Sequence, residues 1–113
     1  YGFSTRFASE DGKAGTNPEE LLGAAHASCF TMAVAFALTN EKLEATELST
    51  TATVTLEKQD AGWTVTQIPL AIQGKVPNID AAKFQAIAEG AKKNCPISRA
   101  LAATPISLEA TLR

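Results

Sequence analysis

The chain has few of the residues that mark several common classes of protein. It contains one histidine and two cysteines in 113 residues, too few to complete a four-ligand zinc site from one chain, so we expect no metal and no other cofactor. Ten Lys and Arg stand against twelve Asp and Glu without a basic stripe, so nucleic acid is not an expected partner. No charged-then-apolar segment at the amino end is typical of a signal peptide, and we expect a cytoplasmic protein.

Charge is also missing from one long stretch. No charged residue lies between Glu20 and Glu41, and the segment 16–40 reads TNPEELLGAAHASCFTMAVAFALTN. Apolar side chains fall on every face of a helix drawn through it, and such a helix is buried in protein or in lipid. Its length permits a membrane span, but His26 and Thr31 suit lipid poorly, and we expect no membrane. The stretch predicts a long buried central helix.

The chain after this helix predicts strands followed by helices. Apolar residues alternate with polar ones over 48–57 and resume at Trp63 after a polar turn, which indicates a hairpin. The apolar parity changes between Val65 and Ile68, which predicts a bulge near 67–69. A last strand alternates over 106–113.

Capping residues predict where the helices start. Asn17 and Pro18 open the central helix, and Asp80 opens an amphipathic one that Asn94-Cys95-Pro96 ends. Pro96 then opens a short third helix. Residues 1–7 are either a strand or the segment that leads out of one, and 8–15 are a loop. The order is that of one α+β domain, residues 1–113, with an antiparallel sheet.

The two cysteines, Cys29 and Cys95, permit three interpretations: buried thiols, a structural disulfide or a redox pair. Burial in an uncharged helix makes Cys29 inert unless a cation such as Arg6 or Arg99 reaches it. His26 is either a nucleophile's partner or a core residue hydrogen-bonded elsewhere, and the second is the commoner case. Cys95 precedes a helix start, where backbone N–H groups favour a thiolate.

Two motifs, TNPEELLGAAHASCF and KKNCPISRAL, resemble the OsmC/Ohr family of thiol-dependent organic hydroperoxide reductases, and AAHASCF is closer to its OsmC branch. The resemblance extends through YGFSTRF and the hairpin to the last strand. It implies an OsmC-like fold and an intertwined homodimer. It also implies a peroxidase that acts on organic hydroperoxides and is reduced by a dithiol. In the family this dithiol resembles a dihydrolipoyl group.

The resemblance also implies roles for four residues. Cys29 would be the peroxidatic cysteine that becomes a sulfenic acid, and Cys95 the resolving cysteine. Arg6 would stabilise the Cys29 thiolate, and Glu19 would orient Arg6 through a bidentate pair. Among apolar neighbours of Cys29, Phe30, Met32 and Phe36 either line a substrate pocket or pack in the core.

Helix geometry adds a constraint on Glu19. It precedes Cys29 by ten residues, or roughly 15 Å along a continuous helix, and the two do not share a face. Either the helix bends near Gly23, or Glu19 of a second subunit completes the site. The second alternative agrees with a homodimer.

The front of the chain departs from the family, whose members have strands before YGF. We expect this chain to lack them. Two rival functions stay open: a redox-sensing or ligand-binding module that does not turn over, and a structural protein whose cysteines only pack.

Overall fold

The computed structural model describes residues 16–113, and the strand and loop predicted over 1–15 lie outside them. Three helices and four strands follow in chain order: α1 (Pro18–Asn40), β1 (Glu47–Ala52), β2 (Thr55–Gln59), β3 (Gly62–Lys75), α2 (Ala81–Asn94), α3 (Pro96–Ala100) and β4 (Ile106–Leu112).

Both long helices start at the residues that the sequence predicts. The Asn17 side chain accepts a hydrogen bond from the backbone N–H of Glu20 at 2.8 Å, and Pro18 occupies the first turn. The Asp80 carboxylate accepts one from the N–H of Lys83, also at 2.8 Å. Each cap satisfies a donor that a helix start leaves without an intrahelical partner.

The predicted hairpin forms, with its first strand interrupted. β1 and β2 both pair antiparallel with the long β3, and the hairpin turn lies between Gln59 and Gly62. The register shifts so that Thr55 faces Gln67 whereas the next residue, Leu56, faces Val65. Thr66 is therefore the extra residue, one position before the predicted bulge, and it accounts for the change of apolar parity along β3.

The last strand joins the same sheet but runs parallel to its neighbour. β4 pairs parallel with β3, from Ile68 opposite Ile106 to Gly74 opposite Leu112. A parallel neighbour needs a long crossover, and the segment with α2 and α3 supplies it. The α+β prediction is confirmed. The sheet is antiparallel in its β1 and β2 pairs and parallel in its β4 pair.

The core lies between the helices and one face of the sheet. Alternate residues of β3 are buried, and α2 contributes the predicted apolar face. The largest buried apolar side chains are Phe30, Phe84, Leu38, Ile68, Leu70 and Ile72. At Gly74 the sheet has no room for a side chain, because a Cβ there would lie 2.7 Å from Cζ of Phe84 and 3.0 Å from Cδ2 of Leu48.

The central helix α1 is continuous over 23 residues, with no break at Gly23. Only one face is buried in the described chain; it consists of Gly23, His26, Phe30, Val34 and Leu38. The opposite face is also apolar yet exposed, with Met32 72% and Phe36 68% accessible. The expectation of burial on every side is therefore not met within one described chain.

By length and composition α1 is apolar enough to cross a membrane. The core helix of a globular domain passes the same test, and α1 packs its buried face on the sheet and on α2.

Candidate functional site

The fold brings the two cysteines into contact. Cys29 lies in the middle of α1 and Cys95 at the junction of α2 and α3, and their Sγ atoms are 3.1 Å apart. Both are free thiols, Cys95 fully buried and Cys29 half-buried. Thiols at this separation can exchange a proton, or form a disulfide after a small displacement. The separation of the two residues in sequence does not by itself predict this contact.

The two thiols are not equivalent electrostatically. Burial raises the pKa of Cys29, and the Cys95 side chain raises it further against one opposing backbone hydrogen bond from Ile97. Burial acts on Cys95 in the same sense, yet its pKa is lowered, because hydrogen bonds from Ser98, Cys29 and Ile97 outweigh the burial. Within residues 16–113, the thiolate is favoured at Cys95.

The predicted helix start at Cys95 is the source of two of these hydrogen bonds. Cys95 is the last residue before α3, and the backbone N–H groups of Ile97 and Ser98, in the first turn of that helix, are among the causes that lower its pKa. Lys92, three residues before Cys95 in sequence, donates to the backbone carbonyl of Ile106 at 3.1 Å. The causes of the lowered pKa of Cys95 are hydrogen bonds and include no lysine.

His26 is a core residue, as in the commoner interpretation of its pattern. It is fully buried, its Nε2 lies 2.8 Å from Oγ of Ser98, and its Nδ1 has no hydrogen-bond partner within residues 16–113. Burial lowers the pKa of His26, so the ring is neutral near pH 7. Ser98 was not predicted from the sequence as a site residue, although its position three residues after Cys95 on a proline-opened helix could have indicated it.

Cys29 also borders a large groove between α1 and α2, with a volume of about 1020 Å³. Met32 and Phe36 lie along it, whereas Phe30 faces the opposite way and is wholly buried in the core. Of the three apolar neighbours considered from the sequence, two line the groove and one packs. The lining is mainly apolar, and Lys83 and Glu41 form an ion pair at the far end.

Glu19 lies in the first turn of α1. Because α1 is unbroken to Cys29 and beyond, roughly 15 Å of helix separates the two residues within one chain. Arg6 lies outside the described residues. Within 16–113, no three His, Cys, Asp or Glu side chains gather as metal ligands would.

Comparison with known proteins gives a consistent result. The model of the family described as OsmC-like protein matches residues 10–110. The chain is 50% identical over 103 residues to Peroxiredoxin OsmC of Escherichia coli (strain K12). The matched region covers 91% of this chain and 70% of that protein. The chain is 35% identical over 97 residues to Organic hydroperoxide resistance protein-like 1 of Staphylococcus saprophyticus, covering 82% and 66%.

Solved structures show the same fold. The crystal structure of the organic hydroperoxide resistance protein OhrB of Bacillus subtilis superposes with a TM-score of 0.68 at 26% identity, covering 91% of this chain and 74% of that one. An OsmC like protein from Mycoplasma pneumoniae superposes with a TM-score of 0.79 at 17% identity, covering 92% and 77%. At that identity the second likeness concerns the fold alone.

Proposed function

Because the chain belongs to the OsmC-like protein family, we propose that it is a thiol-dependent peroxidase that reduces organic hydroperoxides to alcohols. The observation that carries the proposal is the contact between Cys29 and Cys95, at 3.1 Å between Sγ atoms, beside an apolar groove. A peroxidatic thiol must be accessible to the substrate, whereas a resolving thiol needs only to lie within bonding reach of the peroxidatic sulfur. Half-buried Cys29 on the groove and buried Cys95 behind it match these two requirements.

The reaction proceeds in two thiol steps. The Cys29 thiolate attacks the distal oxygen of the hydroperoxide, the O–O bond breaks, and the alkoxide leaves and takes up a proton to become the alcohol. Cys29 is left as a sulfenic acid, which condenses with Cys95 to a disulfide and water. An external dithiol, for which a lipoyl group is the candidate, then reduces the disulfide by exchange. The chemistry uses no metal and no other cofactor, and we place it in the cytoplasm.

The first step requires a positive charge that residues 16–113 do not bring to Cys29. Burial raises the pKa of this thiol, and no cation is among the influences on it. A guanidinium is charged at every relevant pH, so Arg6 is the proposed source of that charge, with Glu19 as its carboxylate partner.

The groove supports the proposed use of organic peroxides as substrates. An alkyl or aryl substituent lying along Met32 and Phe36 would be removed from contact with water, which favours its binding. Hydrogen peroxide has no apolar part to bury. We expect Phe36→Ala to lower the rate constant for cumene hydroperoxide several-fold and to leave that for hydrogen peroxide unchanged. Trp63→Ala, an exposed aromatic residue that does not line the groove, is the matched control. An equal loss for both peroxides would contradict this role of the groove.

We further propose a homodimer in which Glu19 of one subunit serves Cys29 of the other. Two observations support this arrangement: α1 has no break at Gly23, and Met32 and Phe36 leave an apolar face exposed. Mixing two inactive variants, Glu19→Gln and Cys29→Ser, tests this directly. A shared site leaves each mixed dimer with one of its two sites intact, so random one-to-one mixing restores about a quarter of all sites. A site within one chain gives no restoration.

The peroxidase itself is tested by counting thiols. Reduced protein treated with one equivalent of cumene hydroperoxide should lose both thiols, and Cys95→Ser should accumulate a trappable sulfenic acid at Cys29. Cys29→Ser, which keeps the buried thiol, is the matched control and should lose none. Excess dithiol should then give repeated turnover. Oxidation without turnover would favour the redox-sensing module, and no oxidation over minutes would refute the peroxidase.

A further inference from the structure

We propose that His26 and Ser98 form a fixed chain of hydrogen-bond donors that holds Cys95 as a thiolate and so prepares it to attack oxidised Cys29. The inference rests on the proposed function and adds two positioning residues to the disulfide step. Neither touches the peroxide.

The chain of contacts crosses from α1 to α3. His26 Nε2 lies 2.8 Å from Ser98 Oγ, and both residues are buried. A hydrogen bond with the Ser98 side chain is among the causes that lower the pKa of the Cys95 thiol, and the Cys95 sulfur lies 3.1 Å from Sγ of Cys29. Since His26 and Cys29 are on one helix and Cys95 and Ser98 on another, these four side chains join the two helices at the thiol pair.

The burial of His26 sets the direction of the donors. Its Nδ1 is buried and finds no partner in the described part of the chain. A proton on Nδ1 would leave a buried N–H unsatisfied, and the single hydroxyl hydrogen of Ser98 would then point at the ring. With the proton on Nε2, the ring donates to Ser98 Oγ, and the hydroxyl hydrogen is free to donate to sulfur. Burial also lowers the pKa of His26 and so keeps the ring neutral, which preserves this direction near pH 7.

The donor chain serves one step, which balances without an external oxidant. The electron pair of the Cys95 thiolate attacks Sγ of the Cys29 sulfenic acid, and the S–O bond breaks. The oxygen leaves with the bonding pair as hydroxide and takes the proton that Cys95 gave up, which yields water. Cys29 is reduced from the sulfenic level and Cys95 is oxidised, so both sulfurs reach the disulfide level.

The groups that act on Cys95 are few. Besides burial, they are Cys29 from α1 and the Ile97 and Ser98 groups of α3, and within residues 16–113 no charged side chain is among them. The pKa of Cys95 should therefore respond strongly to loss of one donor. A hydrogen bond to a charged group contributes enough that removing it is expected to slow a thiolate reaction on the order of tenfold near neutral pH.

The first experiment titrates Cys95 by thiolate ultraviolet absorbance in a Cys29→Ser background. Ser98→Ala should raise the pKa of Cys95. His26→Leu should raise it too, whereas His26→Gln, which retains an N–H at a similar place, should keep most of the parent value. Titrations of Ser98→Ala and His26→Leu that match the parent would overturn the inference. If Ser98→Ala does not fold, Ser98→Thr, which keeps the hydroxyl, must titrate like the parent.

The second experiment follows the disulfide step with Cys29 intact. After one equivalent of cumene hydroperoxide, Ser98→Ala should close the disulfide about tenfold more slowly while sulfenic acid forms at the parent rate. Equal slowing of both steps would mean a general structural defect and would overturn a specific role. The titration uses no peroxide, so a protein that titrates as described but consumes no hydroperoxide would refute the proposed function alone.

Discussion

Closing the Cys29–Cys95 disulfide should stabilise the protein by an amount that the chain length between the cysteines determines. They are 66 positions apart and their sulfurs already touch, so the bridge would close a long loop with little displacement of the folded state. In the chain-entropy treatment, closing a loop of this length raises the free energy of the unfolded chain by about 4 kcal/mol at 25 °C. Observed stabilisations by disulfides range over about 0–5 kcal/mol. The oxidised protein should be more stable by about that amount.

The assay is urea unfolding of reduced protein and of protein oxidised with diamide, at one fixed protein concentration. With a urea dependence of about 2 kcal/mol per molar, the midpoint should rise by about 2 M. Cys95→Ser carried through the same oxidation should show no shift, and mass spectrometry should find the bridge within one chain. Bridges formed only between chains would refute the contact between these thiols on which the site is built, and a rise below about 0.5 M would contradict the chain-entropy magnitude.

Two further predictions concern the core and its histidine. Gly74→Ala should destabilise the fold by about 1–3 kcal/mol in urea, because its Cβ would lie 2.7 Å from Phe84, while Gly90→Ala on α2, with open space at its Cβ, should stabilise by about 0.5–1 kcal/mol. Equal effects would contradict the close approach at Gly74. Because burial lowers the pKa of His26 from 6.5, the unfolded chain binds a proton below about pH 6.5 that the folded chain does not. Stability should therefore fall as the pH drops through that range, by at most about 1.4 kcal/mol per pH unit, and His26→Gln should remove this part of the slope measured between about pH 7 and 5.5.

Local chemistry made the helix starts predictable from the sequence. Asn17 and Asp80 accept the backbone hydrogen bonds expected of caps, and each does so within its own first turn. The hairpin and its bulge were predictable for a similar reason, since the period of two along a strand records which face is buried. The bulge lies at Thr66, one residue from the predicted place.

Features that depend on contacts between distant parts of the chain were harder to predict from the sequence. The parallel pairing of β4 follows from the path of the α2–α3 crossover, which no local pattern encodes. The contact of Cys29 with Cys95 entered the sequence analysis only through a family resemblance. The partnership of His26 with Ser98 had no equivalent signal. The pattern of α1, apolar on all sides, did not reveal that one described chain covers only one of its faces.

Every strand pairing in the described sheet includes β3, and this has a consequence for the order of folding. The hairpin of β1, β2 and β3 is local in sequence and has a low cost of loop closure. β4 can dock only after the crossover with α2 and α3 has folded back over the sheet, and Cys95 lies in that crossover. The thiol pair is therefore assembled late, and β3 amides should exchange with deuterium more slowly than those of the crossover. Brief local opening around the crossover would expose the bonded sulfurs to solvent while the hairpin stays intact, which gives a reductant access to a buried disulfide without unfolding the domain.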